Sequence, residues 1–119
     1  MAKIKPISTV SEWQALWEAQ QAAPAGALLV FKRSPICPTS HFVEGVFTQF
    51  IAGLPDSADL TVVSVDVIGA RSVSQRVAAD TGIRHESPQV LLIGAGQKIL
   101  WHDSHGGIDE EALRTHLAT

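Results

Sequence analysis

The chain has 119 residues, 45% of them apolar and 18% charged, which is enough hydrophobic material for a packed core and too much for a disordered chain. Its length points to a single domain over residues 1–119. The formal charge of -3 excludes phosphate-backbone binding as the main task, so nucleic acid is not an expected partner.

The longest uncharged apolar stretch, Ala22 to Phe31, is interrupted by Pro24 and Gly26. It is about half of the roughly 20 residues that a spanning helix needs, so no membrane association is expected. The start, Met1-Ala-Lys-Ile-Lys-Pro6, has no apolar run or small-residue cleavage site after its lysines, and a cytoplasmic location is expected. The only cysteine, Cys37, excludes an internal disulfide and a multi-cysteine zinc site, in keeping with a reducing compartment.

In chain order, Ser11 and Gln14 stand at capping-box spacing ahead of Trp13, Leu16 and Trp17, which predicts a helix ending near Ala23-Pro24. Ala27 to Phe31 is a continuous apolar run between Gly26 and a Ser-Pro turn, the pattern of a strand buried on both faces. A second helix follows Pro38, with Phe42, Val43, Val46, Phe50 and Ile51 on its inner side and Gly53 closing it. Leu60 to Asp66 is the next buried strand, and strand, helix and strand at this spacing predict a right-handed parallel βαβ unit. A third helix from about Ala70 to Asp80 stops at Gly82. Gln89 to Ile93 and Gln97 to His102 form a hairpin across Gly94-Ala-Gly96, and Asp109 caps a last helix carrying Ala112, Leu113 and Leu117.

The segment Phe31-Lys-Arg-Ser-Pro-Ile-Cys-Pro-Thr-Ser40 joins the carboxyl end of the first core strand to the second helix, the end at which open α/β sheets bind ligands. Pro38 suits the first helical position, which puts Cys37 at the N-cap. There the helix dipole and free amides favour a thiolate, and Lys32 and Arg33 add positive potential. A packing cysteine would more naturally fall within a strand or a helix face, so the loop position favours a reactive thiol over a buried one. Ser40 occupies the place of the second cysteine of a Cys-x-x-Cys pair, where its hydroxyl can bond the thiolate or play no part.

Cys-Pro-Thr-Ser before a helix, with Ser87-Pro88 ahead of a hairpin, resembles the thioredoxin fold with a monothiol site. FKRSPICPTS, RHESPQVLLI and ILWHDSH, in that order and over essentially the whole chain, resemble the YtxJ-type bacillithiol-system redox proteins, the monothiol bacilliredoxins. The family site is usually TCPIS, from which Ile36 and Thr39 depart. The resemblance implies a small mixed four-stranded sheet, βαβ followed by ββα, flanked by helices and with an extra helix at the amino end. It implies a cis Ser87–Pro88 bond, whose neighbouring backbone an extended partner can pair with. It also implies a thiol-disulfide oxidoreductase in which Cys37 removes bacillithiol from protein mixed disulfides.

With no second cysteine, bacillithiol or a reductase must regenerate the enzyme. The implied partners are bacillithiolated client proteins, with bacillithiol as co-substrate and no permanently bound cofactor. Pro38, Ser40 and Lys32 would stabilise the thiolate. Ser87, Pro88, Arg33 and His85 would meet the substrate, and strand alternation turns only one of Lys32 and Arg33 towards it. Arg71 and Arg84 are further cations within possible reach of the carboxylates of bacillithiol. His102 and His105 lack the further ligands that zinc needs, so no metal site is expected. Trp101, at a strand end, is open to a core or a groove role. Two rival readings are a non-catalytic redox sensor or binding module and an iron-sulfur carrier like the monothiol glutaredoxins, although the Cys-Gly-Phe-Ser site of the latter is absent.

Overall fold

The computed structural model describes residues 4–23, 26–55 and 59–117. The elements in order are β1 (Ile4–Pro6), α1 (Val10–Ala22), β2 (Ala27–Arg33), α2 (Pro38–Ala52), β3 (Leu60–Asp66), α3 (Arg71–Thr81), β4 (Gln89–Ile93), β5 (Ile99–Ser104) and α4 (Glu110–Leu117). The sheet has five strands in the order β1-β3-β2-β4-β5, not the expected four. The additional strand is β1, three residues long, pairing parallel with Val62–Ser64 of β3 at the sheet edge. Its proline is tolerated there, because an edge strand leaves some amides without a ladder partner in any case.

Strands β2 and β3 run parallel, whereas β4 is antiparallel to β2 and β5 to β4. Side chains of the central strands alternate between two cores. Leu28, Val30, Val63, Val65, Leu91 and Ile93 pack with Trp13 of α1 and with Val73 and Val77 of α3. Leu29, Phe31, Val62, Val90 and Leu92 pack on the other face with Val43, Phe47 and Ile51 of α2 and Leu113 of α4. Phe47, stacked on Phe31 with centroids 4.4 Å apart, is the inward phenylalanine of α2. Phe42, expected inward, is 74% exposed.

The amino-terminal helix is capped earlier than expected. Thr9, not Ser11, is the N-cap: its hydroxyl accepts from Glu12 N–H at 3.2 Å, and Glu12 Oε1 accepts from Thr9 N–H at 3.1 Å. We expect Thr9→Ala to lower stability by about 1 kcal/mol in urea denaturation, the usual cost of losing such a cap. Pro24, expected at the end of this helix, lies outside the described residues. Helix α3 closes as expected at Gly82, whose φ of 73° is open to glycine at little cost. Asp109 caps α4 by accepting from Ala112 N–H at 2.8 Å. The second hairpin strand starts two residues later than expected, at Ile99, because the positive φ of Gly96 and Gln97 assigns both to the turn. No helix among the described residues is long and apolar enough to cross a membrane.

Candidate active site

Antiparallel pairing brings the amino end of β4 beside the carboxyl end of β2. Lys32, the last paired residue of β2 on this side, lies opposite Gln89, the first residue of β4, which Pro88 directly precedes. The Cys37 loop and the Ser87–Pro88 segment therefore adjoin the same end of the sheet on adjacent strands. The Ser87–Pro88 bond is cis, Pro88 is buried, and its carbonyl accepts from His105 N–H at 3.0 Å. The hydroxyl of Ser87 is buried without a hydrogen-bond partner among the described residues.

Cys37 is the N-cap of α2 and Pro38 is its first residue. The Cys37 carbonyl accepts the first helical bond, from His41 N–H at 3.1 Å. Its thiol is half-buried and makes no capping bond, so Sγ stays free at the positive end of the helix. The loop that delivers it is fixed from both ends. The buried Ser40 hydroxyl accepts from Ser34 N–H at 2.8 Å, and His41 Nε2 donates to the Pro35 carbonyl at 3.0 Å. Ser40 thus works on the backbone of the loop, and among the described residues no hydrogen bond joins it to Cys37. Next to the thiol, Ile36 is 78% exposed, which leaves an apolar surface beside it.

The two cations before the loop part company through strand alternation. Arg33 turns to the α2 face, where its Nε lies 2.9 and 3.0 Å from the two carboxylate oxygens of Glu44 and its Nη1 lies 3.8 Å from Asp66. This half-exposed network ties β2 to α2 and leaves Arg33 largely neutralised. Lys32 turns to the α3 face, away from α2, and is fully buried at 0% exposure. Its ammonium donates to the Ser74 carbonyl at 3.0 Å and to His85 Nδ1 at 3.2 Å. No bond joins Lys32 to Cys37 among the described residues, so its positive charge acts on the other side of the sheet from the one expected.

Burial pulls the Lys32 ammonium down to about 8. Ser74 Oγ also lies 3.1 Å from His85 Nδ1, so this ring nitrogen is the acceptor and the neutral imidazole carries its hydrogen on Nε2. Burial first, and then the Lys32 cation, lower the His85 imidazole below 6.5, with Glu86 opposing. In an NMR titration we expect His85 to protonate below 6.5, and Lys32→Met to move the midpoint only part of the way back, since burial persists. As pH falls through 6.5 the unfolded chain takes up a proton that folded His85 resists, so stability declines towards acid in that window.

Gln89, buried opposite Lys32, donates from Nε2 to the Arg84 carbonyl at 2.9 Å and shapes the loop ahead of Pro88. Ser74, Gln89 and His41 all hold the site, yet none carries a motif. The tertiary fold brings Ser74 and Gln89 to it, whereas His41 stands one turn after Cys37 on α2. Trp101 is stacked on His116 of α4 at 4.4 Å, which makes it a packing residue. Among the described residues no three His, Cys, Asp or Glu side chains gather as a metal would need.

A parallel strand-helix-strand unit joined to an antiparallel hairpin, a cysteine heading the helix and a cis-proline opening the next strand together define a thioredoxin-fold thiol redox protein. Among solved structures the chain is similar to a protein with a thioredoxin fold, at 23% identity and a TM-score of 0.76, covering 95% of this chain and 92% of that one. It is also similar to a thioredoxin from Nicotiana alata (18%, TM-score 0.71, covering 98% and 94%) and to mitochondrial thioredoxin 3 from Saccharomyces cerevisiae (17%, 0.67, covering 96% and 92%). Residues 5–113 match the monothiol bacilliredoxin BrxC family, and the chain belongs to that family.

Proposed function

We propose that the protein removes bacillithiol from mixed disulfides with client proteins, using Cys37 as its only nucleophile. The observation that carries this reading is the placement of Cys37: it is the single cysteine, with no capping bond at the head of α2, at the end of the sheet shared with Ser87–Pro88. The family match, under a name that refers to one thiol and to bacillithiol, supports it.

The Cys37 thiolate attacks the bacillithiol sulfur, a bond forms between those two sulfurs, and the bond from bacillithiol to the client sulfur breaks. The client leaves as a thiolate and takes up a proton from water, with no net change in the number of disulfides. The chain has no second thiol with which to expel the adduct. A second bacillithiol, or a reductase, therefore attacks the adduct and restores the Cys37 thiol. Exposed Ile36 and Phe42 offer apolar surface near the nucleophile for a protein client to cover. A reducing compartment such as the cytoplasm suits this chemistry.

The test is intact-mass spectrometry of the reduced protein mixed with a bacillithiolated client. The expected result is a gain of one bacillithiol by the protein and its loss from the client, in equal amounts. A client that stays modified, while Cys37 reacts readily with simple disulfides, would overturn the bacillithiol assignment.

A further inference from the structure

Among the described residues one cation is buried without an anion to match it. Lys32 is fully buried, and the groups it touches, the Ser74 carbonyl and His85 Nδ1, are both neutral. Among the described residues no carboxylate pairs with it. Buried ammonium groups are ordinarily paired, because the desolvation cost otherwise stands alone.

On the solvent side of Ser74 and His85 lies a cavity of about 250 Å³, lined by Val67, Ile68, Arg71, Ser74, Gln75 and His85. Three features of this cavity favour an anion. Arg71 and Gln75 stand on the first turns of α3, and neither has a side-chain hydrogen bond or ion pair among the described residues. Helix α3 starts at Ala70 with no side-chain cap, so its positive end is open. With Nδ1 of His85 taken by Lys32 and Ser74, Nε2 is left as an N–H donor. The acidic neighbours are Glu86 and Asp66, whose carboxylate accepts from the Ile68 and Gly69 amides in the turn before α3.

The cavity and the Cys37 loop lie at the same end of the sheet, where Val67 N–H donates to the Arg33 carbonyl at 2.9 Å. Val67, which lines the cavity, is thus bonded to a residue four before Cys37, about 14 Å of extended chain at most.

We propose that this cavity is a carboxylate subsite, which holds an acidic group of the small thiol while the sulfur of that thiol is bonded to Cys37. Arg71, Gln75 and His85 Nε2 donate to the carboxylate, and Lys32 supplies positive charge from behind them. The inference rests on the small-thiol reading of Cys37, and two measurements keep the fates of the two ideas apart.

The first is an NMR titration of the full chain with L-malate at constant ionic strength, read at the His85 imidazole. A saturable shift that Arg71→Gln abolishes is the expected result. Absence of a saturable shift overturns the subsite, whichever thiol Cys37 accepts. The second compares rates of Cys37 with bacillithiol disulfide and with uncharged bis(2-hydroxyethyl) disulfide. Arg71→Gln should lower the ratio of the two rates about tenfold, the scale of one charge-assisted hydrogen bond. An unchanged ratio removes the small thiol from the cavity. Malate binding together with a wild type that does not prefer bacillithiol disulfide would uphold the anion subsite and overturn the bacillithiol reading. Arg71 is exposed, so its replacement leaves the core intact.

Discussion

Replacing Cys37 with serine is expected to reduce transfer of bacillithiol from a client to the uncatalysed background, a loss on the order of a thousandfold or more, the scale on which deletion of a nucleophile registers. The reason is elementary: the thiolate is the attacking species in disulfide exchange, and a serine hydroxyl is neither ionised near neutral pH nor able to form the mixed disulfide. No other cysteine can substitute. Because Cys37 is half-buried and its thiol makes no capping bond, the variant should keep its stability within about 0.5 kcal/mol. A stopped-flow assay on a bacillithiolated client, with a melting curve alongside, reads both quantities. Residual transfer within tenfold of wild type, in a folded variant, would mean that the chemistry lies elsewhere.

The stability of the wild-type protein should rise with pH between about 8 and 10.5, by about 3 kcal/mol in all, and Lys32→Met should remove that rise. The sign follows from proton counting. Below about 8 the Lys32 amine is protonated in both the folded and the unfolded chain, so it contributes no slope, and the full cost of burying the cation is present. Between about 8 and 10.5 the unfolded chain still binds the proton that the folded chain has released, and rising pH relieves the cost. The sequence has no tyrosine, so no phenol titrates in the same window. Urea unfolding at intervals from pH 7 to 10.5 gives the curve. A flat wild-type profile would show that the ammonium has an anionic partner in the folded protein, which would also undercut the subsite next to it. The methionine fills the space of the lysine stem without the charge, so the variant isolates the electrostatic contribution.

The sequence by itself determined the order of the elements, because each is written in local signals: apolar runs for β2, β3 and β4, helical spacing for α1 and α3, Pro38 and Gly53 around α2, and Gly82 after α3. It also singled out the candidate nucleophile, since the chain has one cysteine and it stands before Pro38, and the three segments around it pointed to the family. Short-range signals failed where contacts decided. Three residues of β1 carry too little pattern to be read as a strand and exist through pairing with Val62–Ser64, which are distant in sequence. Phe42 and Phe47 are equally apolar, and only the docking of α2 on Phe31 turns Phe47 inward and leaves Phe42 in water.

The same holds for the polar groups. Sequence placed Lys32 and Arg33 beside the site, and alternation turned one to each face, but which face carries α2 is a property of the assembled sheet. Ser40 became a clamp on Ser34 within the loop, Ser74 met Lys32 through the docking of α3 on the sheet, and Gln89 became its neighbour only when β4 lay beside β2. Periodicity and caps act over a few residues and can be read along the chain. The partner of a buried charge is chosen by strand order, which brings together residues tens of positions apart and leaves no local trace in the sequence.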